Sequence, residues 1–123
     1  MGLIRTKTYI KYARINLQEA EEALQTSDYE KCVRKVVFCT DALIKAVAAA
    51  LPTVKADFFK MNAKQFAKNL EDLADDQKTS NQIAKSIFEA RDLGQTQDTD
   101  RITAERALGL AGAAFTELHE LFA

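Results

Sequence analysis

The chain has 123 residues, 47% hydrophobic and 28% charged, with a net charge of −1. That is ordinary composition for one globular domain with a core. It excludes a strongly basic nucleic-acid-binding chain, though not a local basic patch. No run of about 18 apolar residues is present, so no transmembrane helix is expected. The start, "MGLIRTKTYIKYARI", lacks the apolar core of a secretory signal, and a cytoplasmic protein is expected. "MGLIRT" also fits the short N-myristoylation pattern loosely, with Gly2 and Thr6 in place.

One proline and four glycines leave few helix breaks, and the β-branched runs of strands are missing. The expected class is all-α. A first helix is predicted over Leu3–Gln25. Leu3, Thr6, Ile10, Ala13, Leu17, Ala20 and Leu24 recur at alternating steps of three and four, marking the core face. Ser27 followed by Glu30 has the pattern of a capping box. A second helix is therefore predicted from Asp28 to Leu51, ended by Pro52. The two helices form an antiparallel hairpin with a very short turn. The second helix has the widest apolar arc, from Val33 to Leu51, with Cys32, Cys39, Ala46 and Ala50 on one side. It is expected at the centre of a bundle. Cys32 and Cys39 lie two turns apart, roughly 10 Å along the axis, too far for a mutual disulfide. They are expected as reduced thiols.

Asn62 with Gln65 gives a second capping-box pattern before a short amphipathic helix carrying Phe66, Ala67, Leu70 and Leu73. "ADDQKTSNQ" reads as a polar break, after which Thr79 with Gln82 starts the next helix. Its apolar side is Ile83, Ala84 and Ile87, and Gly94 suits its C-terminal cap. Asp100 is the expected N-cap of the last helix. The core stripe there is Ala104, Leu108, Ala111, Phe115, Leu118 and Phe122, with Gly109, Gly112 and Ala113 leaving room for a close neighbour. The sum is a single domain, an antiparallel up-and-down bundle of four to five helices.

Little catalytic chemistry is available. His119 is the sole histidine, so neither a two-histidine metal site nor a Cys/His zinc site can be built from one chain. There is no Gly-rich phosphate loop. His119 lies at the edge of the last apolar stripe and reads as a boundary or C-terminal capping residue. Asp75 and Asp76 read as a solvated turn. No catalytic residue, metal or cofactor is assigned. Two features are less ordinary. The first helix carries Arg5, Lys7, Lys11 and Arg14 in its first half and its glutamates in its second, the reverse of what the helix dipole prefers. Lys7, Lys11 and Arg14 could face an anion such as RNA phosphate. The second is exposed apolar surface. Phe38 falls opposite the core arc, and Ile4 and Ile15 lie outside the first stripe with Tyr12 at its margin. Together they favour a homodimer interface.

"SDYEKCVRKVVFCTDALIKAVAAALP", Ser27 to Pro52, resembles the second helix of HEPN domains (higher eukaryotes and prokaryotes nucleotide-binding). "TAERALGLAGAAFTELHELF", Thr103 to Phe122, resembles their last helix, and "KQFAKNLEDLA" their inserted helical segment. The resemblance covers nearly the whole chain and implies a helical bundle that dimerises through helix faces. Many members are ribonucleases, often toxins paired with a nucleotidyltransferase-like antitoxin. Others are noncatalytic modules for RNA or nucleotides. The ribonucleases carry an arginine followed four to six residues later by a histidine, the first to hold phosphate and the second to move a proton. Arg91 matches that arginine by position, yet Thr96, Gln97 and Asp98 follow it. Arg101 is followed by Arg106, Ala107 and Leu108. A related branch places an Asp-Tyr pair after its arginine; here Asp98 and Asp100 are present without the tyrosine. The resemblance thus implies a noncatalytic or degenerate binding module for a nucleotide, RNA or a nucleotidyltransferase-type partner. Arg91 and Arg101 join Lys7, Lys11 and Arg14 as phosphate-binding candidates. A divergent ribonuclease toxin using Arg91, Asp98 or Arg101 stays open, and so does a structural partner-binding bundle.

Overall fold

The computed structural model describes residues 2–51, 60–96 and 99–122. Pro52, Gln97, Asp98 and the side chain of Leu3 lie outside the described residues. Among the described residues there are five helices: α1 (Gly2–Gln25), α2 (Tyr29–Ala50), α3 (Ala63–Ala74), α4 (Gln77–Gly94) and α5 (Arg101–Leu121). No strand occurs among the described residues.

The tightest part of the fold is the α1–α2 hairpin. The Thr6 hydroxyl donates to the Ala46 carbonyl across the two helices at 3.0 Å, in a fully buried setting. From this contact, one seven-residue step along each helix leads to Ala13 and Cys39. A second step leads to Ala20 and Cys32. All six positions have no exposed surface. Small side chains at the seam let two antiparallel helices approach closely, and the seven-residue repeat keeps the seam aligned. Glu19 and Lys35 close the same register from outside with a 2.7 Å ion pair. Both cysteines are free. Burial pushes the Cys39 thiol up to about 12 and raises Cys32 in the same direction. These thiols act as small hydrophobes.

The turn differs from the expected Ser27–Glu30 capping box. Ser27 takes a left-handed conformation, φ 60°. Its N–H reaches the Leu24 carbonyl at 3.1 Å, and the Asp28 N–H reaches that of Ala23 at 2.8 Å. Those two bonds make a Schellman ending for α1. The Asp28 carboxylate then accepts from the Lys31 N–H at 3.2 Å and caps α2. Ser27 is used up in ending the first helix, so Asp28 starts the second.

α2 packs against α1, α4 and α5 and is central, as its wide arc predicts. α3 begins with the Asn62–Gln65 capping box, both reciprocal bonds being present. It lies antiparallel on α4, with Phe66 edge-on to Phe88 at 5.7 Å. The break before α4 is shorter than the sequence suggests. Asp75, at φ 53°, ends α3, and Asp76 caps α4 by accepting from the Lys78 N–H and the Thr79 hydroxyl. The helix therefore starts at Gln77, not Thr79. The polar run is its exposed first turn, anchored by buried Ser80, whose hydroxyl donates to the Asp76 carbonyl.

Gly94 has a different purpose from the expected left-handed cap. No glycine has positive φ, and the cap of α4 is Gln95. A Cβ at Gly94 would lie 2.6 Å from Val37 Cγ2 and 3.0 Å from the Val33 carbonyl oxygen. The glycine brings the end of α4 onto α2. Gly109 and Gly112 have open space around them, so the close approach foreseen there is made at Gly94 instead. Asp100 caps α5 as expected, accepting from the Thr103 N–H at 2.7 Å. The buried face of α5 is rotated from the predicted stripe. Ala104, Ala107, Ala111, Ala114 and Leu118 form its centre. Leu108, Phe115 and Phe122 are only partly buried against the core.

Two glycine substitutions should act in opposite directions. Ser27→Gly relieves a left-handed serine and is expected to raise stability by about 0.5–1 kcal/mol. Gly94→Ala forces its methyl into Val37 and should lower stability by about 1–3 kcal/mol, partly recovered by adding Val37→Ala. Denaturant unfolding measures both, and a neutral Gly94→Ala would refute the close-contact account.

Candidate anion-binding site

The basic residues of α1 are spaced i, i+4 and i+7, which aligns Lys7, Lys11 and Arg14 along one side of the helix. That side meets the C-terminal half of α5. Between the two helices lies a cavity of about 220 Å³, lined by Lys7, Ile10, Lys11, Arg14, His119 and Phe122. The helices run antiparallel here, so Lys7 stands near Phe122 and Arg14 near Phe115. The rotated face of α5 creates the site. Its alanines pack inward, and its larger flank residues become a wall.

Arg14 is held by two contacts. Its guanidinium lies 5.6 Å from the centroid of the Phe115 ring, within cation–π range. Its Nη2 donates to His119 Nε2 at 3.3 Å. Arginine stays protonated and has no acceptor, so this contact is a hydrogen bond only in the tautomer that leaves the lone pair on Nε2 and the proton on Nδ1. The imidazole in turn stacks on Phe115, with centroids 5.7 Å apart and planes 25° apart. None of Lys7, Lys11 and Arg14 has a carboxylate within ion-pair distance among the described residues. Three uncompensated cations on one cavity favour an anion. His119, read from the sequence as a boundary or C-terminal capping residue and found in the last turn of α5, also belongs to this site. Its position on the flank of α5 was legible, but not the neighbour it faces.

The other candidate cations are already paired. Arg91 contacts Asp41 of α2 at 3.3 Å, with both side chains partly exposed. Arg101 contacts Glu105 at 2.7 Å on its own helix. Arg106 reaches Glu89 at 4.0 Å and links α5 to α4. Arg91 and Arg101 flank the α4–α5 connection, and His119 stands 18 residues beyond Arg101 on the same helix, roughly 27 Å away along the axis. The fold does not bring the histidine to either loop arginine.

The interface candidates are exposed. Ile4, Tyr12, Ile15 and Phe38 keep 74%, 52%, 41% and 46% of their surfaces. Tyr12 touches Tyr9 edge-on at 6.5 Å. Lys35 lies 5.7 Å over the Phe38 ring while pairing with Glu19. That pairing holds the Glu19 carboxyl below its ordinary range. Ile102, 76% exposed at the start of α5, was not singled out by the sequence. A larger groove of about 400 Å³ separates α3 from α4, over Ala63, Ala67, Ala84 and Phe88. Its rim mixes Lys64 and Lys85 with Glu89 and Asp92, so it carries no single-sign field and the smaller α1–α5 cavity is the better anion site. No metal-ligand cluster occurs among the described residues, and no described helix is long and apolar enough to cross a membrane.

No protein-family model, curated protein or solved structure matches this chain.

If Arg91 is a structural partner of Asp41, Arg91→Ala and Asp41→Ala should each lower stability by less than about 1 kcal/mol, the range for exposed pairs. The double variant should lose no more than the sum of the two. A stability loss several-fold larger for Arg91→Ala alone would contradict this pairing.

Proposed function

We propose that this chain is a noncatalytic HEPN-like binding module, active as a homodimer, that holds a nucleotide or RNA by its phosphates. The observation that carries the proposal is the gathering of Lys7, Lys11 and Arg14 on one cavity without carboxylate partners among the described residues. Phosphate oxygens complete such a set. Arg14 offers planar paired donors and the lysines offer mobile point charges. The neutralised state of Arg91 and Arg101 supports a site on α1 over one in the α4–α5 connection. It also weighs against the divergent ribonuclease, which needs a loop arginine free for phosphate. The exposed Ile4, Tyr12, Ile15 and Phe38 supply the surface for the second copy, and a nucleotidyltransferase-like antitoxin fits the same setting as a partner.

The test is fluorescence anisotropy with a labelled single-stranded oligoribonucleotide at several salt concentrations. Lys7→Ala/Lys11→Ala/Arg14→Ala should weaken binding at least tenfold, and lower the logarithmic salt slope by about 2 if each cation meets one phosphate. Arg91→Ala should leave the affinity within about twofold of the unmodified chain, because a residue off the site contributes little beyond general charge. Equal binding by the triple variant would remove the α1 site. In sedimentation, Phe38→Asp should convert the dimer to monomer; an unmodified chain that is already monomeric would remove the dimer.

A further inference from the structure

We infer that Arg14 and His119 form a proton-linked latch, so that anion binding in the α1–α5 cavity carries proton uptake at His119. The inference rests on the anion-binding reading above and adds its regulation. The deciding geometry is the bond from Arg14 Nη2 to His119 Nε2 at 3.3 Å. In that arrangement the lone pair of Nε2 occupies one of the guanidinium donors. Arg14 is thereby held against Phe115, with part of its hydrogen-bonding capacity spent inside the protein.

A proton added at Nε2 cannot coexist with this bond, because both nitrogens are then donors. Arg14 is released, and the imidazolium adds a positive charge to the same wall. An anion gains twice from that change, through a freed guanidinium fork and a further N–H donor. Among the described residues the charged groups that line the cavity with the imidazole are Lys7, Lys11 and Arg14 of α1, all positive. On α5 itself Glu117 and Glu120 are close in sequence, but neither lines the cavity, and α2 and α4 contribute no residue to it. Among the described residues no carboxylate lines the cavity to neutralise an imidazolium. The anion is the missing counter-charge, so proton and anion favour each other. Linkage makes the coupling reciprocal: acid tightens anion binding, and the anion makes His119 harder to deprotonate.

The proton balance is simple. One proton moves from solvent to Nε2, the Arg14–His119 bond breaks, and the anion accepts from both groups. No covalent step is involved.

The probes are sulfate and a short single-stranded oligoribonucleotide, because neither changes charge in the range where imidazoles titrate, roughly pH 5 to 8. Inorganic phosphate is unsuitable, since its own second ionisation falls inside that range. Calorimetric titration of the full chain should show about tenfold tighter binding at the acid end, the scale of an ordinary coupling free energy. Repeating the titration in buffers of different ionisation enthalpy should reveal proton uptake at the alkaline end. His119 is the sole histidine, so its ring proton resonances report directly by NMR. Sulfate should move their titration to higher pH. His119→Gln keeps an oxygen acceptor for Arg14 but cannot take the proton, so it should bind more weakly at the acid end and whatever affinity it retains should not vary with pH. His119 is exposed, and circular dichroism checks that the variant folds. Affinity that is flat with pH in the unmodified chain, or pH dependence retained in His119→Gln, would overturn the latch while leaving the anion site intact. Absence of binding by either probe at every pH would overturn both.

Discussion

The fold depends on how closely α1 and α2 can approach. Thr6, Ala13 and Ala20 on one helix and Ala46, Cys39 and Cys32 on the other give a seam with no large side chain, and all six are buried. Any larger group there separates the helices and removes the dispersion contacts that close packing supplies. The seam also orients the rest. With α1 committed to α2 through its small-residue face, its adjoining side, carrying Ile10 and the three cations, is the one left for α5. α2 turns its remaining arc to α4 and α5. The anion-binding cavity is thus a by-product of which face of α1 the hairpin consumes.

The same logic explains why α5 presents aromatic residues to the cavity. Its alanines pack inward, so Phe115 and Phe122 are displaced to the flank. Phe115 is then available to hold both Arg14 and His119. A core built on the larger residues would have buried that platform and left Arg14 to solvent. The two alanine-rich faces, on α1 and on α5, therefore set the size and chemistry of one site from opposite sides.

Much of the fold was legible in the sequence. The heptad-like spacing of α1, the wide arc of α2, the Asn62–Gln65 box and the Asp100 cap all lie within one helix or turn, and local physics decides them. Three features were less legible. The Ser27–Glu30 pattern competes with an αL ending for α1, and a single serine cannot serve both. Asp76 outranks Thr79 as a cap because Asp75 has already ended α3, a fact about the preceding helix. Gly94 looks like a terminator by position, yet its requirement comes from Val37 and Val33, 57 and 61 residues earlier. For the site, the spacing of Lys7, Lys11 and Arg14 was visible, as was the marginal position of His119. Their juxtaposition needs the antiparallel register of α1 and α5, which no local pattern encodes. The pairing of Arg91 with Asp41 is hidden for the same reason.

Asp28 has a place in the chain that limits what can happen around it. Its backbone N–H closes the last ring of α1, while its carboxylate opens α2. The connection holds no spare residue. Lengthening it by even one position would separate the two roles, and the added residue would have to reconcile a rotated α2 with a seam that repeats every seven. The hairpin is consequently a part of fixed length. Changes in chain length during divergence would be absorbed in the connections between other helices, and the α1–α2 unit would be inherited whole.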